Sequence, residues 1–261
     1  MADALNIART GLDISQQQID VIAQNAANAK SLAYKQRMLV TTDAFYTTLK
    51  KAGLQDTTTG FSSPIPVQRG SGAKVAGITK IMTQGPKKDT GNPLDLYIDG
   101  GGYFAVTLPN NQIGYTRIGK WQLSGTRQIV SVDTGYPLAD GIVIDQNIPL
   151  EQVKITNTGA VLDGQGNKIN QISLYTFLNE EGLEEFGGGV AIETEASGAG
   201  IQANPGDNES VGKLVQKSLE LSNVSQIEAL TGLIEAQRAY ELNLKIIAAQ
   251  SDIMKATNET K

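Results

Sequence analysis

Both ends of the chain carry the apolar spacing of a long helix, and the residues between them do not. Near the N-terminus, positions spaced alternately by three and four are apolar at seven of eight sites. These positions are Leu5, Ala8, Leu12, Ser15, Ile19, Ile22, Ala26 and Ala29. The spacing predicts a helix from about residue 3 to about residue 33 with one narrow apolar seam.

The C-terminal part repeats this spacing over Leu230, Leu233, Gln237, Tyr240, Leu244, Ile247, Ser251 and Met254. Ser225 and Glu228 fit a capping box, which predicts a second helix from about 225 to about 256. Because about 3.5 residues is the coiled-coil period, we expect the two helices to form an antiparallel coiled coil. Two ordinary amphipathic helices packed on a globular core remain the alternative.

The middle of the chain, from about 75 to about 215, has the patterns of strands. Leu94, Leu96 and Ile98 alternate with polar or aromatic residues, and Phe104, Val106 and Leu108 do the same. Further strands are predicted at 142–144, 153–155 and 172–178, with glycine-rich turns between them. These signals predict an antiparallel β domain.

Two stretches, 50–75 and 198–212, are polar and predicted to be irregular, the first as an extended arm or linker. The predicted fold class is α plus β and multi-domain, with terminal helices around a central antiparallel β domain. Its parts are the N-terminal helix (1–35), the arm or linker (36–75), the central β domain (76–215) and the C-terminal helix (216–261).

Composition excludes most catalytic chemistry. The chain contains no Cys and no His, which excludes Ser-His-Asp and Cys-His catalysis and ordinary zinc, haem or iron–sulfur sites. A formal net charge of −5 argues against non-specific nucleic-acid binding. The sequence therefore predicts no catalytic residue, metal, cofactor or nucleic-acid partner.

Short motifs do not change that prediction. Residues 114–121 resemble a P-loop, but Trp121 replaces the hydroxyl residue that binds magnesium. Residues 163–167 are interpreted as a tight turn rather than a calcium loop. The pairs Glu180-Glu181 and Glu184-Glu185 are interpreted as a solvated acidic loop. A carboxylate-dependent cell-wall glycosidase is the enzymatic alternative.

The helical ends favour assembly. Apolar residues outside the seams, Ile7, Ile14, Val21, Ile227 and Ile234, need other subunits to cover them. Head-to-tail repetition of such a contact builds a ring or a helical filament. A self-contained monomeric binding protein, with its helices packed intramolecularly, is the alternative. From the sequence we expect no membrane span and no cleavable signal peptide.

Motifs along nearly the whole chain resemble bacterial flagellar rod and hook proteins. The N-terminal signature is matched at residues 8–13, 20–28 and 34–35, and the C-terminal signature at 222–224 and 234–245. The central core of the family is matched in order at 84–85, 95–98, 100–104 and 115–119. Ala26, Ser31 and Ala33 depart from the usual Leu, Thr and Gly. Loss of the glycine at Ala33 suggests that the first helix ends differently or continues.

The resemblance implies a structural subunit rather than an enzyme. The hook protein is longer, and residues 70–75 with 84–85 look most like the distal rod subunit; the proximal rod subunit is the alternative. Such a subunit polymerises helically into a hollow drive shaft that transmits motor torque to the hook. The resemblance further implies that an arm at residues 46–66 bridges neighbouring subunits and stiffens the rod.

The partners implied are copies of the chain itself, proximal rod proteins, the hook protein, the peptidoglycan-ring and outer-membrane-ring proteins, and the flagellar type III export apparatus. The implied location is the periplasm-spanning rod of the basal body, with no membrane insertion. The implied assembly residues, with Gln237, Arg238 and Asn243 as polar contacts that fix register, are Leu5, Leu12, Ile19, Ile22, Asn25, Asn28, Leu230, Leu233, Gln237, Arg238, Tyr240, Asn243, Leu244 and Ile247.

Overall fold

The computed structural model describes residues 2–52, 65–146, 148–208 and 211–259. It contains two long helices, α1 (Ala2–Ala27) and α2 (Gln226–Glu259), with a β-rich region between them. The predicted α plus β class is therefore confirmed. The chain divides into two compact units. Unit 1 comprises Met1–Ala27, Arg37–Lys80 and Ser225–Lys261, and unit 2 comprises Asn28–Gln36 and Ile81–Val224.

Helix α1 ends at Ala27, earlier than the apolar spacing predicts. Near this end of the helix, the side chain of Asn25 makes two hydrogen bonds to the backbone of Arg37. Its Oδ1 accepts from the Arg37 amide at 2.9 Å, and its Nδ2 donates to the Arg37 carbonyl at 2.7 Å. The chain then turns, and Ala33 adopts a φ of 51°. A left-handed alanine carries a steric penalty that glycine avoids.

Helix α2 follows the predicted span closely and ends at Glu259. Its first turn is capped by Ser225, whose Oγ accepts a hydrogen bond from the amide of Glu228 at 3.4 Å. This contact is the Ser half of the predicted capping box.

Unit 1 also contains a β-ribbon, which we call the arm. Its strands are β1 (Arg37–Asp43), β2 (Tyr46–Lys50), β3 (Val67–Gly70) and β4 (Ala73–Lys80). β1 pairs with β4 and β2 with β3, both antiparallel, so the two pairs are nested. The prediction of an irregular segment over 50–75 is wrong at β3 and β4, and its residues 53–64 lie outside the described residues.

Unit 2 is built from short strands. They are β5 (Lys87–Asp89), β6 (Leu96–Asp99), β7 (Phe104–Thr107), β8 (Ile113–Thr116), β9 (Trp121–Leu123), β10 (Ile129–Ser131), β11 (Lys154–Ile155), β12 (Ala160–Leu162), β13 (Lys168–Gln171), β14 (Leu174–Thr176), β15 (Glu184–Gly187), β16 (Val190–Ile192), β17 (Ile201–Ala203), β18 (Lys213–Gln216) and β19 (Ser218–Glu220).

The largest sheet of unit 2 has the order β15-β16-β8-β7, and a second has the order β11-β12-β13. The remaining strands pair two by two, as β9 with β10, β14 with β17, β6 with β18, and β5 with β19. These pairings are antiparallel, as the sequence predicts. Two expectations were wrong: Val143 forms only a single bridge with Gln128, and the segment 198–212 contains β17.

The core of unit 2 is closely packed. Phe104 and Trp121 are 0% and 1% exposed, and their rings meet edge to face at 5.4 Å. Burial of large apolar side chains such as these is the main source of folding free energy. Gly119 lies against Leu96, whose amide donates to the Gly119 carbonyl at 2.9 Å. A Cβ at Gly119 would overlap the Leu96 carbonyl oxygen, so only glycine fits there.

Candidate functional site: the paired helices and a buried ion cluster

Helices α1 and α2 pack side by side in antiparallel directions. Asn243 of α2 donates from Nδ2 to Ser15 Oγ at 3.5 Å. A Cβ at Gly232, three turns earlier in α2, would lie 3.4 Å from Ile22, two turns later in α1. Small residues allow this close approach, since Gly11 leaves room for the Asn243 amide.

The predicted assembly residues of the N-terminal part of the chain differ in burial. Asn25 is 4% exposed because it binds Arg37, as described above. The others are half-buried, namely Leu5, Leu12, Ile19, Ile22 and Asn28. Asn28 lies after the helix, where its Oδ1 accepts from Ser31 Oγ at 3.0 Å. Val21, expected to need another subunit, is already buried at 6% exposure, whereas Ile7 remains 40% exposed.

Within α2, the predicted residues separate into two groups. Leu233, Tyr240, Asn243 and Ile247 are half-buried, and Ala236 between them is 2% exposed. By contrast, Leu230, Gln237, Arg238 and Leu244 are exposed. The face of α2 that packs on α1 is therefore displaced from the predicted seam. The spacing of three and four does not distinguish this face from a neighbouring stripe that includes Leu230 and Leu244.

A second apolar stripe lies on α2, and we call it the outer stripe. Its members are 51–77% exposed and comprise Ile227, Leu230, Ile234, Leu242, Ile246 and Ile253. At about 100° per residue, Ile227 and Ile234 lie on the side of the helix opposite Ala236, whereas the other members of the outer stripe lie on its flanks. Helix α2 thus exposes apolar side chains that α1 does not cover.

Unit 2 contains a buried ion cluster centred on Glu220, whose side chain is 1% exposed. Its Oε1 lies 2.6 Å from Lys35 Nζ, and its Oε2 lies 3.1 Å from Arg117 Nε. The amide of Gly85 also donates to Oε1 at 2.9 Å. Removing one partner from such a buried pair leaves an uncompensated charge, which is costly.

Both cations of this cluster have further partners. Lys35 Nζ donates to the carbonyl of Thr83 at 2.9 Å, and Arg117 Nη2 donates to that of Gly100 at 2.7 Å. The Arg117 guanidinium also lies 5.5 Å from the centre of the Tyr103 ring. Burial lowers the pKa of Lys35, while the adjacent Glu220 carboxylate opposes that shift. The arrangement holds five separate chain segments together.

Comparison with known proteins decides the family. Two family models match, "Flagellar hook protein FlgE/F/G D1 domain" over residues 97–163 and "Flagellar basal body rod FlgEFG protein C-terminal" over 215–260. The flagellar basal-body rod protein FlgG of Caulobacter vibrioides is 38% identical over 263 residues, which is 99% of each chain. FlgG of Agrobacterium fabrum is 35% identical over 257 residues, 96% of each chain. The chain belongs to the flagellar rod and hook family.

A further relative shows the same full-length likeness. FlgG of Buchnera aphidicola from Schizaphis graminum is 35% identical over 268 residues, which covers 99% of this chain and 100% of that protein. The resemblance inferred from the sequence motifs, to the rod and hook family and most closely to its distal rod member, is confirmed. Neither helix in the described part of the chain combines the length and apolar character that a membrane crossing requires.

The residues that carried the resemblance to the rod and hook family meet at the Glu220 cluster. Lys35 comes from the N-terminal signature, while Gly85 and Arg117 come from the central core motifs. Asn223 of the C-terminal signature donates to the carbonyls of Ile81 and Thr83 at 2.9 and 3.0 Å. These family motifs therefore supply residues that are bonded to one another inside unit 2.

Glu220 itself was missed by the sequence analysis. It lies two residues before the matched segment 222–224, in the short strand β19. The available signal was indirect. Lys35 and Arg117 both lie inside the family motifs, and no acidic residue stands close to either of them in the sequence. Both cations belong to unit 2 and require a buried anion between them.

Proposed function

We propose that this chain is a structural subunit of the distal flagellar rod, which polymerises helically around a hollow channel and transmits motor torque to the hook. Full-length similarity to proteins named as flagellar basal-body rod protein FlgG supports the rod role. The observation that carries the polymerisation step is the outer stripe of α2.

The pairing of α1 and α2 supports an antiparallel coiled coil as the inner element of the subunit. Asn243 bonded to Ser15 supplies a polar contact within the apolar seam. A polar residue at such a position fixes register at some cost in stability. This contact supports the proposed register role of Asn243, whereas Gln237 and Arg238 are exposed and are proposed to contact neighbouring subunits.

The outer stripe supports contact between copies. Exposed apolar rows of this length mark interaction surfaces on soluble proteins. A helix with apolar side chains outside its contact with one partner helix can pack against further helices, as in a multi-helix tube. Copies of the same chain supply such neighbours in a head-to-tail arrangement that does not close, which gives a filament.

The remaining partners follow from the rod role. We propose that the subunit contacts proximal rod proteins at one end of the rod and the hook protein at the other. The peptidoglycan-ring and outer-membrane-ring proteins surround it, and the flagellar type III export apparatus delivers it to the periplasm-spanning basal body.

The test is polymerisation of the purified full-length chain as its concentration rises, followed by sedimentation and electron microscopy. Wild type is expected to form filaments, and the variant Ile234→Asn/Leu242→Asn/Ile246→Asn is expected to stay monomeric with unchanged helical circular dichroism. The matched control on the same helix is Glu235→Gln/Glu241→Gln/Lys245→Gln, all exposed, which should polymerise. A wild-type chain that stays monomeric, or a triple Asn variant that polymerises normally, contradicts the proposal.

A further inference from the structure

The last residues of unit 2 pair with strands from much earlier in the chain. We call residues 211–224 the closing segment, which contains β18 and β19. β18 pairs antiparallel with β6, and β19 pairs antiparallel with β5. Ser218 Oγ also donates to Asp89 Oδ1 at 2.8 Å, across 129 residues of the chain. Two early strands of unit 2 therefore obtain these partner strands only from its end.

The closing segment also bonds to loops in several parts of unit 2. Gln216 Nε2 donates to the carbonyls of Pro93 and Val153 at 2.6 and 2.9 Å. The backbone amides of the segment donate to carbonyls of earlier residues, namely Gly212 to Gly101 at 2.7 Å, Leu214 to Asn157 at 3.1 Å, and Lys217 to Asp95 at 2.7 Å. One short stretch thus joins regions that are distant from one another in the sequence.

The core and the ion cluster of unit 2 both depend on the closing segment. Leu214 is 0% exposed and belongs to the same core as Phe104 and Trp121. Glu220 supplies the carboxylate that lies between Lys35 and Arg117. Without the closing segment, the core loses a buried leucine, and two buried cations lose the charge that compensates their burial.

Several other strand pairs of unit 2 are too short to be stable by themselves. β9 with β10 and β14 with β17 are two-stranded sheets with three residues in each strand. Sheets of this size are marginal in water without a further strand or a packed face. Docking of the closing segment supplies both, but it brings together residues that are 123 and 129 positions apart. Contacts over such distances have a high entropic cost and form slowly.

We propose that the closing segment is the folding latch of unit 2. The unit stays unfolded until this segment docks on β5 and β6, and the core forms only from the docked state. The fold thus contains a device that switches the unit between an unfolded chain and a folded one. The inference goes beyond the proposed function, because it concerns a single chain whether or not that chain polymerises.

Folding kinetics of the full-length chain test the latch with a matched pair of variants. Leu214→Ala lies in the closing segment and Leu174→Ala in β14, and both leucines are 0% exposed in the same core. Refolding and unfolding after urea jumps are followed by Trp121 fluorescence, at a protein concentration below that needed for polymerisation. Leu214→Ala should slow folding about tenfold or more with a nearly unchanged unfolding rate. Leu174→Ala should chiefly raise the unfolding rate.

The milder variants Leu214→Val and Leu174→Val replace this pair if either alanine variant does not fold. Pulse-labelling hydrogen exchange during refolding of the wild type gives an independent measurement. The amides of β7 and β8, which pair locally, should become protected together with those of β18 and not before them.

The latch is supported by selective slowing of folding at Leu214 together with simultaneous protection of β7, β8 and β18. Equal slowing by substitutions at Leu214 and Leu174 overturns it, and so does a folding rate that Leu214 does not affect. Protection of β7 and β8 before β18 also overturns it, because the sheet then forms without the closing segment. Since these measurements use single chains, none of their outcomes depends on the proposed rod function.

Discussion

Units 1 and 2 differ in how far their large apolar side chains are buried. Among the described residues, unit 1 holds sixteen large apolar side chains that are exposed, and unit 2 holds five. The buried apolar residues of unit 1 are Ala8, Val21 and Ala236, whereas unit 2 buries Phe104, Trp121 and many others. Unit 2 thus has a core of its own, while the described helices and ribbon of unit 1 leave many large apolar side chains exposed. Exposed apolar area of this kind is typical of an interaction surface.

Two optical signals separate the units experimentally. Trp121 is the single tryptophan of the chain and belongs to the core of unit 2, so its fluorescence reports on that unit. Both long helices belong to unit 1, so circular dichroism at about 222 nm reports chiefly on that unit. The predictions below use these two signals and run from the largest expected effect to the smallest.

The largest effect is expected from Glu220→Ala. The substitution leaves Lys35 and Arg117 buried without their carboxylate, which typically costs about 3–5 kcal/mol. The urea midpoint of Trp121 fluorescence should fall sharply. Glu184→Ala, an exposed glutamate in the same unit, is the control and should change stability by less than about 0.5 kcal/mol. Equal effects of the two substitutions would contradict a self-sufficient unit 2 organised around Glu220.

Gly85→Ala should destabilise unit 2 by about 1–3 kcal/mol, because a Cβ at this position overlaps the Leu221 carbonyl oxygen. Gly125→Ala is the matched control, since a Cβ there meets nothing within 4 Å. Thermal unfolding followed by Trp121 fluorescence measures both. Similar melting temperatures for the two variants would show that the backbone around Gly85 shifts to accommodate a Cβ with no loss of stability.

Alkaline pH should weaken unit 2 from about pH 10 upward. Burial, with the nearby Glu193 carboxylate as the second cause, raises the pKa of Tyr115 to about 12, and burial also raises that of Tyr103. Unfolded tyrosine loses its proton near pH 10, so above that pH the native state binds more protons and stability falls. Each such group contributes at most about 1.4 kcal/mol per pH unit.

Tyr115→Phe should reduce this alkaline slope, measured as urea midpoints at pH 9, 10, 11 and 11.5. The lowered pKa of Lys35 acts in the opposite direction, since the unfolded lysine holds its proton to higher pH, but that contribution is complete above the ordinary lysine pKa of 10.5. An unchanged slope in the variant would exclude Tyr115 as a source.

The smallest effect is a gain. Ala33→Gly should stabilise the chain by about 0.5–1 kcal/mol, because φ is 51° at this position and glycine avoids the left-handed penalty. Ala29→Gly, a nearby alanine without a positive φ, is the control and should be neutral or destabilising. A loss of stability in Ala33→Gly would mean that the alanine methyl makes a packing contribution larger than its backbone strain.

The sequence predicted the elements better than their contacts. Apolar spacing located both helices because it is a local signal, and alternation located β6 and β7 for the same reason. Only one edge of the predicted α2 seam is buried, because the spacing defines a broad stripe and does not specify which edge of it faces α1. Glu220 was missed because its partners Lys35 and Arg117 are 185 and 103 residues away along the chain. The end of α1 was not predicted because the hydrogen bonds between the Asn25 side chain and the Arg37 backbone leave no periodic pattern in the sequence.

The order of the units along the chain bears on synthesis. Unit 2 ends at Val224, so every residue of its core has left the ribosome before the last part of α2 is made. Unit 1 combines segments that precede, interrupt and follow unit 2 in the sequence, so it acquires its second helix only after unit 2 has been made. A growing chain therefore completes the core of unit 2 before it carries the adhesive outer stripe of α2.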